Sequence, residues 1–136
     1  MCQIIVEYVG ELRTRAKHLK SGNEILTDAP IDNHGKGEAF SPTDLTAAAL
    51  GSCILTIMGI AAESRRMDIV GTHSEITKIM GKSPRRIAKV QVQVYFKNNF
   101  SEIERKILET AAHSCPVHKS LHDDLKKEII FHYLKS

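Results

Sequence analysis

The strongest constraint in this chain is the stretch from Ser41 to Arg65, SPTDLTAAALGSCILTIMGIAAESR, which carries no charged side chain between Leu45 and Ala62. Ser41 suits a helix N-cap, because its hydroxyl accepts an orphan amide proton of the first turn. Pro42 falls at the first helical position, where a missing N–H costs nothing. Asp44 completes an S-x-x-D box and sets negative charge at the positive end of the helix dipole. Glu63, Arg65 and Arg66 end the run. The pattern predicts one long helix over residues 41–65 with Cys53 near its middle. A helix apolar on every face must be buried on every face. At ~1.5 Å per residue it is ~30 Å or more long, as long as a small domain is wide. One small sheet and two short helices hardly cover it. The expected molecule is therefore an obligate homodimer in which two such helices pack together, Ala47–Ala49, Gly51 and Ser52 permitting close approach. A transmembrane span is the rival that length allows. Its many Ala, Gly, Ser and Thr residues, and the amphipathic elements elsewhere, favour a protein core.

The segments around this helix alternate in type. Gln3–Val9 is β-branched and aromatic, as strands are. Leu12–Lys17 sets Leu12, Thr14 and Ala16 against Arg13, Arg15 and Lys17, a strand with one charged face. Glu24–Thr27 is a third short strand, so the opening third is expected to be an antiparallel meander. Asp28–Phe40 (DAPIDNHGKGEAF) has no periodicity, and irregular segments of this length are often functional. Beyond the helix, Thr72–Lys82 reads as a strand, and Arg86, Ala88, Val90, Val92, Val94 and Phe96 alternate without error. Ser101-Glu102-Ile103-Glu104 is a capping box opening a helix with an Ile103, Ile107, Leu108, Ala111 stripe. Pro116 interrupts that helix and starts another, expected over Pro116–Leu125. Glu128–Leu134 is a last strand. The order predicts an α+β fold with helices packed on antiparallel sheet.

The chain has 136 residues, of which 42% are hydrophobic and 26% charged, which suits a single domain over residues 1–136. A formal charge of +3, with no dense Lys/Arg block, argues against nucleic acid as a partner. Met1-Cys2-Gln3 leads directly into a strand, so neither a signal peptide nor a membrane partner is expected. Three cysteines, an odd number, suit a reducing compartment and hence a cytoplasmic location.

Two of those cysteines invite chemistry. With Pro116 as the first helical residue, Cys115 is the N-cap, where free amides and the dipole lower a thiol pKa and favour the nucleophilic thiolate. Taken alone, Cys53 reads as a small buried hydrophobe. His113, Cys115, His118 and His122 are crowded, and His118 and His122 at i, i+4 would share a helical face. No C-x-x-C or four-ligand spacing accompanies them, so no metal is expected. Cys2 has no assigned role.

The pieces S-P-T-D-L-T-A-A-A-L-G-S-C (41–53) and H-S-C-P-V-H-K-S-L (113–121), following a β-meander, resemble the OsmC/Ohr superfamily of osmotically inducible and organic hydroperoxide resistance proteins. The resemblance runs over nearly the whole chain. It implies an intertwined α+β homodimer with two sites at the subunit interface. It further implies a thiol-dependent hydroperoxide reductase in which Cys53 is peroxidatic and Cys115 resolving. A hydroperoxide or apolar ligand and an external dithiol reductant are then the partners, with no resident cofactor. Family peroxidases supply a thiolate-stabilising arginine from the N-terminal region, matched here by Arg13, with Arg15 two residues on. They hold it with a glutamate directly after the helix-start proline. Here that position is Thr43 and the acid follows as Asp44, turned ~100° around the helix. An OsmC-fold binding protein, or a redox sensor using the same cysteine pair, are the alternatives.

Overall fold

Alternation in the opening residues produces three strands, β1 (Ile4–Gly10), β2 (Arg13–His18) and β3 (Glu24–Asp28), in an antiparallel sheet of order β1-β2-β3. The computed structural model describes residues 1–134. The sheet belongs to the first of two compact units, Met1–Thr46; the second is Ala47–Ser136. The β1–β2 turn is unusual. Gly10 (φ 93°), Glu11 (φ 56°) and Leu12 (φ 63°) all lie in the left-handed region, which costs side-chain-bearing residues steric energy. The Leu12 N–H donates to Tyr8 Oη (3.2 Å) and the Ala29 N–H donates to Leu12 O (3.1 Å), which holds the turn. After β3 the chain makes one 3-10 turn, Ile31–Asn33, and folds back on itself. The Asp28 N–H reaches Phe40 O and the Gly37 N–H reaches Ala29 O. Gly35 lies so close to the Ala29 carbonyl that no Cβ fits.

The long helix α1 spans Pro42–Ser64. It opens on the expected box: the Asp44 N–H donates to Ser41 Oγ (3.1 Å) and the Ser41 N–H to Asp44 Oδ2 (3.0 Å). Ala47, Leu50, Gly51, Ile54, Met58 and Ala62 are buried, a stripe at helical spacing. Gly51 lets the helix approach Ile76 and Ser74 of the second sheet. Burial on every face, expected from the sequence, is not what a single chain achieves: Ala49, Ser52, Thr56 and Ile60 remain exposed. Length and composition alone would also let this helix cross a membrane.

The second sheet holds β4 (His73–Gly81), β5 (Arg86–Tyr95) and β6 (Lys126–His132) in that order. Val90, Val92, Val94 and Phe96 are buried, as their alternation predicts. The sheet is mixed rather than wholly antiparallel, because β6 runs parallel to β5. The cause is the connection: two helices carry the chain back to the end of the sheet where β5 began, as parallel pairing requires. Helix α2 (Glu102–His113) carries its capping box between Ser101 and Glu104, and buries Leu108 and Ala112. Ile103, placed in the buried stripe by the sequence, is 75% exposed because it lies on the edge of that stripe, away from Leu108. Helix α3 is shorter than expected, Pro116–Ser120. Leu121 already has extended backbone and the His122 ring accepts the Asp124 N–H, so His118 and His122 share no helical face.

Candidate functional site

Two thiols far apart in sequence meet in the second unit. Cys53 rides on α1 between Leu50 and Ile54, which are fully buried, and is itself half-buried. Cys115 is fully buried and caps α3, its Sγ accepting the His118 N–H at 3.3 Å. Both sulfurs are free thiols, and Cys53 lies close enough to Cys115 to act on its titration. Burial pushes the Cys115 thiol up from its ordinary value, the neighbouring Cys53 thiol adds to this, and the amides of His118 and Val117 pull the other way. The expectation that the cap lowers this pKa is therefore overturned. Removing a buried sulfur from water outweighs the α3 amides. Burial therefore favours the protonated form of the Cys115 thiol.

In the first unit Arg13 stands opposite Asp28 in the β2–β3 ladder. Its Nη2 contacts Asp28 Oδ2 at 3.4 Å and also pairs with Glu38. Asp28 is fully buried, and its Oδ2 also receives the Glu38 N–H at 2.9 Å. That amide first, and the Arg13 guanidinium next, hold the Asp28 carboxyl below the usual aspartate value. Arg13 is in turn raised, chiefly by its bond to Asp28. Arg15 makes only an exposed pair with Glu7 across the ladder, at 3.4 Å. Asp44, expected from the resemblance to orient the arginine, has its carboxylate on the Ser41 N–H at the start of α1. Sequence reasoning missed Asp28 and Glu38. Both lie in the irregular segment it had singled out, and only the strand register shows that Asp28 faces Arg13.

His113 and His118 meet edge to face with ring centroids 6.3 Å apart, and burial pushes His118 down, toward the neutral form. Among the described residues no three His, Cys, Asp or Glu side chains converge to hold a metal. Between the last turn of α1 and the length of α2 runs a groove of about 470 Å³, with Ala61, Ile103, Ile107 and Ala111 as its apolar lining and Arg65 and Lys106 among its other residues.

The sequence pattern of the OsmC-like protein family matches residues 35–129, which includes both thiols. The chain belongs to the OsmC-like family. It is similar to a proposed osmotic stress induced and detoxification response protein from Psychrobacter arcticus 273-4. The identity is 50% over 97% of this chain and 96% of that one, with a TM-score of 0.94. The same fold occurs in an organic hydroperoxide resistance protein OsmC from Legionella pneumophila, at 15% identity, 96% and 97% coverage and a TM-score of 0.75. It occurs again in an organic hydroperoxide resistance protein from Elizabethkingia anophelis, at 14% identity, 98% coverage of each chain and a TM-score of 0.76. A comparison with curated proteins found no match. The α+β OsmC fold expected from the two motifs is thus the fold of this chain.

Proposed function

We propose that this OsmC-like protein is a thiol-dependent hydroperoxide reductase, active as a homodimer in a reducing cytoplasm. The family, and the relatives named for detoxification and hydroperoxide resistance, support a general redox and stress role. The observation that carries the finer reading is the closeness of two free thiols, a buried Cys115 and a more accessible Cys53, brought together from distant parts of the chain.

The chemistry follows from that pair. The Cys53 thiolate attacks the terminal oxygen of a hydroperoxide and the O–O bond breaks. The alkoxide leaves with a proton as an alcohol, and Cys53 becomes a sulfenic acid. Cys115 then attacks the sulfenic sulfur, giving a Cys53–Cys115 disulfide and water. An external dithiol reduces that disulfide and is itself oxidised, so no bound cofactor is needed. Thiolate at Cys53 needs a nearby cation, because burial alone disfavours charge. Arg13 is assigned that role over Arg15, because its guanidinium is already held by carboxylates. Asp44 serves this site by fixing the start of the helix that carries Cys53.

Consumption of cumene hydroperoxide and hydrogen peroxide with dithiothreitol, in wild type and Cys53→Ser, tests the assignment. The expected result is loss of nearly all turnover in the variant, with the organic peroxide the better substrate of the wild type. Equal rates in the two proteins would overturn it. The groove beside α2 favours a second reading, binding of an apolar small molecule without turnover, which Cys53→Ser would leave intact.

A further inference from the structure

We propose that Asp28 is the positioning residue for Arg13, and that the left-handed turn before Arg13 and the loop after Asp28 exist to hold this pair in place. The inference rests on the reductase reading, in which Arg13 stabilises the Cys53 thiolate.

Three observations in the first unit converge on one guanidinium. The first is the character of Asp28. It is fully buried at the end of β3, directly across the ladder from Arg13. Its own N–H is bonded to Phe40 O, and its Oδ2 is fixed by the Glu38 N–H as well as by Arg13. Its Oδ1 is buried with no hydrogen-bond partner among the described residues. A buried carboxylate with an unsatisfied oxygen is costly, and such a group persists where function retains it. Glu38 differs: it also pairs with Arg13, but its side chain is 61% exposed, so water and salt screen it. Asp28 sets the direction of the guanidinium, and Glu38 contributes mainly the amide that sets Asp28.

The second observation is the turn. Glu11 and Leu12, neither of them glycine, adopt left-handed backbone immediately before Arg13. Strain of this kind persists only where surrounding bonds over-determine it. Here the Leu12 N–H is taken by Tyr8 Oη and its carbonyl by the Ala29 N–H, the residue next to Asp28. The same clamp therefore fixes the backbone of Arg13 and the end of the strand that bears its carboxylate. The third observation is the loop itself. The Gly37 N–H returns to Ala29 O, and Gly35 has a neighbour that excludes any side chain. That closure delivers the Glu38 amide to Asp28. A guanidinium merely decorating a strand, as Arg15 does, shows none of these restraints.

The test is a double-mutant cycle on hydroperoxide reduction, with Asp28→Asn, Arg13→Gln and the pair, each checked for native melting. Arg13→Gln is expected to lower kcat/KM on the order of 100-fold and Asp28→Asn on the order of 10-fold, the pair behaving like Arg13→Gln alone because Asp28 acts only through Arg13. Alkylation of Cys53 by iodoacetamide, read by peptide mass across pH, is expected to shift to higher pH in both single variants. Tyr8→Phe, at an exposed position, keeps the test available should Asp28→Asn fail to fold: roughly a threefold loss is expected, absent when Arg13 is already Gln. Wild-type kinetics and alkylation in Asp28→Asn, or an equal loss from it in the Arg13→Gln background, would overturn the positioning role while leaving the reductase reading intact. An Arg13→Gln protein as active as wild type would overturn Arg13 as the thiolate partner, and the positioning role with it.

Discussion

At the scale of single residues the proposed mechanism divides the work of the two thiols by environment. Cys115 is held in a dry position where burial favours its protonated thiol, which suits a group that acts second. Replacing it with serine keeps the size and an acceptor for the His118 N–H, but removes the resolving sulfur. Cys115→Ser is therefore expected to complete one turnover at close to the normal rate and then to hold Cys53 as a sulfenic acid. Dimedone labelling after one equivalent of peroxide checks this: the variant should label and the wild type should not. Asp28 carries a different consequence. Its folded pKa lies below the ordinary 3.8, so it stabilises the fold fully above 3.8. That contribution disappears as pH falls through the lower folded value. The stability gap between wild type and Asp28→Asn should be widest near neutral pH and narrow as the solution is acidified below 3.8. A gap unchanged by acid would show that the ion pair is not its source.

At the scale of elements, most of the fold was legible because local chemistry specifies it. Ser41 with Asp44, and Ser101 with Glu104, announce helix starts through side chains that satisfy orphan amides, and both boxes form. Loss of the second by Ser101→Ala is expected to cost about 1 kcal/mol in urea unfolding, with activity unchanged. The alternation of β5 predicted Val90, Val92 and Val94 as core for the same local reason. What local chemistry does not carry is direction and register. Nothing in Lys126–His132 says that it pairs parallel to β5, since that depends on where two helices deliver the chain. The end of α3 was misplaced because Leu121 carries no breaker, and only the extended backbone around it shows the stop. The site divides the same way. The proposed thiols Cys53 and Cys115 were singled out through their motifs and the proposed cation Arg13 through its place in the chain. Asp28 and Glu38 lay in a segment without periodicity, where only the folded loop reveals a partner. The pKa direction of Cys115 was missed because burial is a property of the packed molecule and not of its cap.

At the scale of the whole molecule, the unresolved demand is apolar surface. Ile4, Val6 and Tyr8 on one face of β1, and Ile5 and Val9 on the other, are all at least 41% exposed. Ile25 and Leu26 of β3 are exposed as well. A three-stranded sheet needs a hydrophobic face packed on something to be stable, and soluble monomers rarely leave contiguous apolar surface of this kind in water. Helix α1 adds its own demand through Ala49, Ser52, Thr56 and Ile60, small or apolar side chains that suit close packing of a like helix. A second copy of the chain answers both with the surfaces the sequence already holds, which is why a homodimer is part of the proposed function. Sedimentation equilibrium should give about twice the 15.2 kDa chain mass at micromolar concentration. Val6→Lys, placing a charge in the exposed face of β1, should shift the population toward monomer and lower its melting temperature together, because the uncovered sheet has little core of its own. A wild-type protein that sediments as a stable 15.2 kDa species would remove the dimer from the proposal.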